Sequence, residues 1–515
     1  MRKNKFVAKT LLLIVLAFAM VISACGNGDN KSTNAGNDGK TAEGKSGNSS
    51  GELKPVELVM VFPVGGEPKD LKLVQDEINK MTKAKINATV KLVPIGFGAW
   101  AQQKTLMMSG NEQVDLIVSG LGTYSQDVAK GQLLELDGYL AENGQGVTEA
   151  LDSLDTAFLN ATRIDGKIYA VPSIRDLAAD YGITMRKDLV EKYNIDTAAI
   201  KSLDDLDVVF KTIKDNEPDM IPTVKYGTSI LDIYVLSYFD NLGEGFGVLP
   251  GYDNDLKVVN MYETPEYAEM LNTVRRWNQT GYIAKDAATS TETQYNLVKS
   301  GKAFSFISHM KPGIETQESR STGKEMVSVH FRPAATATYN ITSVMWSIAR
   351  NSKDPERAMM LLNMMYTDKD FINLLDYGIE NKHYVKVSDN VIDYPQGVDA
   401  TSSGYNLQMG WMFGNQSLSH IWNGDDPELW NQLAEFNRNA VKSKALGFTF
   451  NADAVKTEIA AVTNVQNQYK IALETGTVDP IAKLPEFNKQ LKAAGIDKII
   501  AEKQKQLDAW AAAKK

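Results

Sequence analysis

Histidine, cysteine and glycine are the residues whose spacing most often announces chemistry, and here they announce little. The four histidines, His309, His330, His383 and His420, fall in no H-E-x-x-H or comparable ligand spacing, and the only cysteine of the 515 residues is Cys25. No metal site is therefore expected. The stretches "GFGAW", "GLGTY" and "GEGFG" are glycine-rich, but none is a G-x-G-x-x-G, and neither a phosphate-binding G-x-x-x-x-G-K-[ST] nor a G-x-S-x-G elbow occurs. The chain is accordingly expected to carry no cofactor and no catalytic residue. Carboxylates are plentiful, and an acid and base pair that meets only in space leaves no trace in the sequence. What stands out instead is "GYNLQMGWMFGNQSLSHIWN", 404–423, where Tyr405, Trp411, Phe413, Asn415 and Trp422 are interleaved with glycines and amides. Rings of this kind can lie against the C–H faces of a sugar while amides and charged groups bond its hydroxyls. Trp411, Phe413 and Asn415 are the preferred ligand-facing residues, and an aromatic satellite core beneath a loop is the competing reading.

Such side chains need elements to position them. "VELVMVFP", 56–63, is a nearly continuous apolar run, as in a strand covered on both faces. Leu71, Val74, Ile78 and Met81 then form one helical stripe, 86–93 alternates as a strand, 99–110 is helical and 114–120 is a third strand. Alternation of strand and helix predicts an α/β domain with a mostly parallel sheet. Later, Ser202 and Asp205 frame a capping box ahead of Leu203, Leu206, Phe210 and Ile213, and Thr264 with Pro265 starts a helix through Tyr267, Leu271 and Val274. Ile496, Ile499, Leu507 and Trp510 line one face of a terminal helix. Loops after strands are where ligand contacts belong. They offer Glu67 beside two glycines, Trp100 in "GFGAW" and Tyr124 in "GLGTY". A solvated turn for Glu67 and a core position for Trp100 are the competing readings.

The ends say where the protein works. Arg2, Lys3, Lys5 and Lys9 precede an apolar run over 11–22, the layout of a secretory signal and too short for a comfortable membrane span. "ISACG" resembles a bacterial lipobox, which implies cleavage before Cys25 and lipid attachment at its sulfur. Residues 26–51 are Gly, Asn, Ser, Asp, Lys and Thr with little apolar content, so a flexible tether is expected there. The net charge of −9 becomes −13 once the four signal cations are removed. That balance disfavours nucleic acid or an anionic membrane surface as the partner. One cysteine forms no internal disulfide, so stability must come from the core.

"KGQLLELDGYLAENG", 130–144, and "DGKIYAVPSIRDLAADYGITMRKDLVEKYNI", 165–195, resemble the extracellular solute-binding proteins of bacterial ABC importers, in particular their oligosaccharide-oriented group. "NLVKSGKAFSFI" from Asn296 and "WSIARNSKDPERAMMLLNMMYTD" from Trp346 extend the likeness, and the region from about Gly447 resembles the C-terminal module of Gram-positive lipoprotein members. The resemblance implies an α/β, two-lobe, periplasmic-binding-protein-like fold with a hinge and an interlobe ligand cleft. The expected division is a signal over 1–24 and a tether over 25–52. A first lobe of 53–172 and 335–380 is followed by a second of 173–334 and 381–446, and a helical module over 447–515 packs on the second lobe. Strands cross near 170–174 and 331–340. On that layout Arg175, Asp176 and Tyr181 lie where the lobes meet, Arg175 and Asp176 either facing ligand or simply pairing. His309 and Lys311 follow a strand lining the cleft, and Tyr339, Asn340 and Trp346 lie along the return strand.

The function the resemblance implies is capture of an oligosaccharide outside the cell and delivery to an ABC permease, by a monomer held to the membrane of a Gram-positive cell only through its lipid. Two other readings remain open at this stage: a surface hydrolase or lyase acting on polysaccharide, and a peptide receptor.

Overall fold

The computed structural model describes residues 53–514 apart from 244 and 401, so Cys25, the signal and the tether lie outside the described residues. Two sheets organise the chain. The first runs in the order β2 (Ala88–Gly96), β1 (Val56–Val64), β3 (Leu116–Gly120), β12 (Val344–Ile348), β4 (Val171–Pro172). β1 is parallel to β2 and β3, whereas β12 is antiparallel to β3 and β4. Burial on both faces explains the unbroken apolar run of β1, in which every residue from Leu58 to Val64 is buried. The helix Leu71–Ile86 turns Val74 and Ile78 onto this sheet and ends at Asn87, whose left-handed backbone stops it.

The second sheet runs β10 (Met326–His330), β5 (Asp180–Arg186), β9 (Ala303–Met310), β6 (Ile221–Val224). Its core gathers Ile183, Phe210, Trp277, Phe304 and Ile307, and the same core contains Val462, Leu473, Phe487, Leu491, Ile499 and Leu507. The terminal helices thus complete one hydrophobic unit with the second sheet. Gly476 shows how tightly: at φ +66, a Cβ there would stand 2.5 Å from the Val274 carbonyl oxygen. The Trp510 end of the terminal stripe is half-buried, its ring edge-on to Phe448. Thr264 caps the following helix as expected, accepting from Tyr267 N. Ser202 does not cap. Its hydroxyl donates to the Asp205 carboxylate at 2.9 Å, and the helix begins only at Leu206.

Three passages join the lobes. The first, 173–179, follows β4; the second, 331–343, follows β10 and contains β11 (Ala335–Thr336); the third ends at β16 (Val441–Lys442). They are stitched together: Ala179 and Ala335 exchange backbone hydrogen bonds at 2.9 and 2.8 Å, and β11 pairs with β16 in parallel. The remaining strands are small, β7 (Phe239–Asp240) with β8 (Leu249–Pro250), and β13 (Val385–Lys386), β14 (Val391–Asp393) and β15 (Ile421–Trp422) in one sheet.

One expected boundary is corrected. Residues 381–446 were expected in the second lobe, yet Tyr405, Met409, Met412 and Phe413 belong to the first core, with the Tyr405 hydroxyl donating to the Leu375 carbonyl at 2.6 Å. The cause is packing: Phe413 stands edge-on to Phe62 at 5.3 Å and lies against Trp346 at 6.2 Å.

Candidate functional site

Strand direction marks where a candidate site would lie. β4 ends at Pro172 and β5 begins at Asp180, so the carboxyl end of one and the amino end of the other flank the first passage. Through the antiparallel pairings of β12 with β3 and of β9 with β5, the carboxyl ends of β1, β2, β3, β6 and β9 all lie on the passage side of their sheets. Ligands of open α/β sheets bind beyond such ends. Two hollows, of about 460 and 290 Å³, lie elsewhere, the first lined by Pro55, Lys83 and Thr89 at the opposite edge of the first sheet and the second by Met81, Asn373, Tyr384 and His420. Neither is lined by residues of the passages.

On the first lobe, β1 runs into Gly65, Gly66 and exposed Glu67, and no atom stands within 4 Å of a Cβ at either glycine. β3 ends at Gly120, held at φ +90 with its Cα so close to the second passage that a Cβ would be 2.4 Å from the Thr342 carbonyl oxygen. Leu121 beyond it is exposed. Trp411 is half-buried against this lobe's core.

The second lobe's edge and the first passage are crowded with titratable groups. Arg175 donates through Nη1 to the Asp176 carbonyl and Oδ1, at 2.7 and 2.9 Å, and through Nη2 to the Asn340 carbonyl at 2.9 Å and to Ser343 Oγ. Lys311 Nζ lies 3.2 Å from Asp176 Oδ2. Burial alone would raise the Asp176 carboxyl, but Lys311 and Arg175 hold it well below the usual carboxylate range. His309 is pushed below its ordinary value by burial and by Lys311, so its imidazole is neutral at neutral pH. Its ring meets Tyr226 edge-on at 5.9 Å. Behind them both oxygens of the fully buried Glu318 lack a hydrogen bond among the described residues, and burial lifts this carboxyl to about 7. Tyr181 is buried and Tyr339 is exposed, and the phenol of Tyr339 helps raise that of Tyr181 after burial. Asn340 Oδ1 accepts from Ala337 N at 2.9 Å, fixing the turn that presents its carbonyl to Arg175.

Arg175, Asp176, Lys311, His309 and Asn340 thus converge, with Tyr181 and Tyr339 beside the same passages. Four other expected residues belong to the core. Trp346 has no exposed surface and donates its indole N–H to the Met412 carbonyl at 2.7 Å; Phe413 is likewise sealed. Trp100 is buried under its helix. Tyr124 opens a short helix, Tyr124–Ala129, and is buried on it, with its hydroxyl donating to the Thr162 carbonyl at 2.6 Å. Asn415 spends its carboxamide oxygen on Ser417 N and its backbone N–H on the Met365 carbonyl, so it builds a turn. Tyr226, Glu318, Ser343 and Asn437 were not foreseen. Tyr226 had the signal, a tyrosine before a glycine after a strand, but Asn437 lies in a helix, and only the fold reveals that it accepts from Leu177 N and donates to the Arg175 carbonyl.

Comparison with known proteins settles the class. The profile described as bacterial extracellular solute-binding protein matches residues 66–370, and a domain of unknown function matches 444–512. The chain belongs to the bacterial extracellular solute-binding proteins. It is 30% identical to a carbohydrate ABC transporter substrate-binding protein of Streptococcus pneumoniae serotype 4, over 97% of both chains. It is 24% identical to the polygalacturonan/rhamnogalacturonan-binding protein YtcQ of Bacillus subtilis, over 74% of both. Among solved structures, the N-glycan transport solute binding protein NgtS of Streptococcus pneumoniae superposes with a TM-score of 0.80 at 28% identity, covering 90% of this chain and 100% of that one. Its complexes with Man1GlcNAc and Man5GlcNAc give 0.71 and 0.69, at 27 and 28% identity, covering 88 and 90% of this chain and 99% of each complex.

Proposed function

We propose that this protein captures a soluble oligosaccharide outside the cell and delivers it to the membrane permease of an ABC importer, without chemical change to the sugar. The observation that carries the reading is the likeness along 97% of the chain to a carbohydrate substrate-binding protein, joined to two sheets whose carboxyl edges converge on three stitched passages. Ligand held between two lobes favours the closed arrangement because only that state contacts it from both sides, and a permease can then distinguish loaded from empty protein. The lower TM-scores to the two NgtS glycan complexes than to the other NgtS structure have the sign that lobe closure would produce. No helix among the described residues is long and apolar enough to cross a membrane, which fits attachment through lipid at Cys25. The protein works as a monomer, one cleft to each chain.

Calorimetry against a panel of oligosaccharides and peptides tests the reading. Heat and a rise in melting temperature with at least one glycan, recovered chemically unchanged, are expected. Response to peptides alone would make it a peptide receptor, and release of shortened glycan would make it a hydrolase or lyase. For the anchor, Cys25→Ser is expected to shed the protein into the medium; an unchanged lipidated mass would remove that part.

A further inference from the structure

The chain lies between relatives whose names point to ligands of different charge, and three residues at the lobe junction bear on that choice. A site that grips a carboxylate ordinarily offers it the planar fork of an arginine, two parallel N–H groups at once. Arg175 has no such fork to give. Its four Nη hydrogens are spent on the Asp176 carbonyl, Asp176 Oδ1, the Asn340 carbonyl and Ser343 Oγ. The fifth donor, Nε–H, is buried without a partner among the described residues. Lys311, the second cation here, has its ammonium 3.2 Å from the other oxygen of Asp176. One carboxylate therefore masks two cations, each of its oxygens facing one of them. Of the groups around the cluster among the described residues, His309 is neutral, Glu318 contributes a carboxyl, the Asp180–His330 pair sets a carboxylate against an imidazole, and Lys225, beside Tyr226, donates to the Ser290 carbonyl at 2.7 Å. Arg332 forms no ion pair among the described residues, but it is exposed and its guanidinium lies over the Tyr238 ring at 3.6 Å. In that position a carboxylate contact would be weakened by solvent.

Resting on the carbohydrate reading above, we infer that Asp176 is a specificity-determining residue that occupies the carboxylate position of the junction and so sets the site for uncharged oligosaccharides, excluding uronate-rich ones. A uronate entering here meets Asp176 as a like charge and finds no unspent guanidinium fork. A neutral sugar meets donors and acceptors already held in place: the remaining Lys311 N–H groups, the Asp176 carboxylate and the neutral His309 ring.

The test compares two probes on the full mature protein at low salt: a neutral oligosaccharide of mannose and N-acetylglucosamine, and an oligogalacturonate of similar length. Wild type is expected to bind the neutral probe at least tenfold more tightly. Asp176→Asn is expected to improve oligogalacturonate binding tenfold or more, with that gain falling as salt rises, and adding Lys311→Met is expected to abolish the gain. Arg332→Ala should leave the wild-type preference intact. Oligogalacturonate bound by wild type as tightly as the neutral probe overturns the inference, whether or not the variants fold. So does a folded Asp176→Asn protein that gains nothing. Both of those results leave the carbohydrate reading standing, whereas a wild-type protein that binds no glycan of either class removes that reading and this inference with it.

Discussion

The two lobes meet across edges of different chemistry. The first lobe brings Gly65, Gly66, Gly120, Leu121 and one exposed carboxylate, Glu67, while the second lobe and the first passage bring Asp176, Tyr181, Tyr226, His309 and Lys311 with Glu318 behind. The cores beneath are alike in holding ionisable groups. In the first, Trp346 and Tyr405 each donate to a backbone carbonyl, while the buried Asp115 accepts from Val59 N and Lys353 N and the buried Asp376 accepts from Met409 N. The second holds ionisable groups fully out of solvent, Glu474 bonded to Ser229 and Tyr267, and Lys503 bonded to the Gly247 carbonyl. Buried charges persist only where the partners are fixed beforehand. At the edges, one lobe therefore offers an open, close-approach surface, and the other offers polar groups whose geometry is already set.

The largest expected effect tests whether the first lobe's aromatics are structural. Trp346→Ala removes a sealed indole from between the sheet and Phe413 and is expected to cost about 3–5 kcal/mol in denaturant unfolding. A folded variant of near wild-type stability that loses glycan binding would return Trp346 to the site. Next in size, Glu318 makes the second lobe sensitive to pH. Its carboxyl titrates near 7 folded against 4.5 in its ordinary state. Between those values the folded chain keeps a proton that the unfolded chain releases, so the contribution is full below pH 4.5 and is lost as pH rises through 7. Glu318→Gln is expected to remove that dependence and to stabilise the protein at pH 8 by about 1–3 kcal/mol, read by urea unfolding at pH 5 and pH 8. Equal stability of the two proteins at both pH values would remove Glu318 as a source of pH sensitivity and leave the buried Asp376 of the first lobe, lifted to about 7 by burial, as the carboxyl to test next.

Smaller effects concern ligand. Trp411→Ala is expected to leave melting within a few degrees while weakening glycan binding about tenfold, near 1.4 kcal/mol by calorimetry. A large loss of stability with binding intact would assign Trp411 to the core beside Phe413. Smallest of all, Glu67→Gln should weaken binding about two- to threefold with no change in unfolding, because its turn is exposed and its neighbours are open space. An effect as large as that of Trp411 would mean that the first lobe grips ligand with charge after all.

Local pattern determined a good deal of this molecule. The apolar run of β1 marks a strand covered on both faces because burial is recorded residue by residue, and the stripe Leu71, Val74, Ile78 marks a helix because 3.6-residue spacing puts them on one face. Arg175, Asp176 and Lys311 were legible as a junction only through the motifs around them. What pattern does not carry is the direction a loop side chain takes. Tyr124 and Tyr226 share a setting, a tyrosine within two residues of a glycine after a strand, yet one folds inward to the Thr162 carbonyl and the other stands against His309. The aromatic density of 404–423 is the same case at larger scale: its composition suits a sugar platform and a core alike, and contact with Phe62 and Trp346, far away in sequence, absorbs Phe413 into the core. The sequence by itself determined that this chain alternates strand and helix, and it carries the lipobox-like pattern around its single cysteine on which the expected export signal rests. Only the tertiary structure decided that one carboxylate at 176 faces two cations, because Lys311 reaches it from more than a hundred residues away and the equally distant Asn340 carbonyl accepts from the Arg175 guanidinium on its other side.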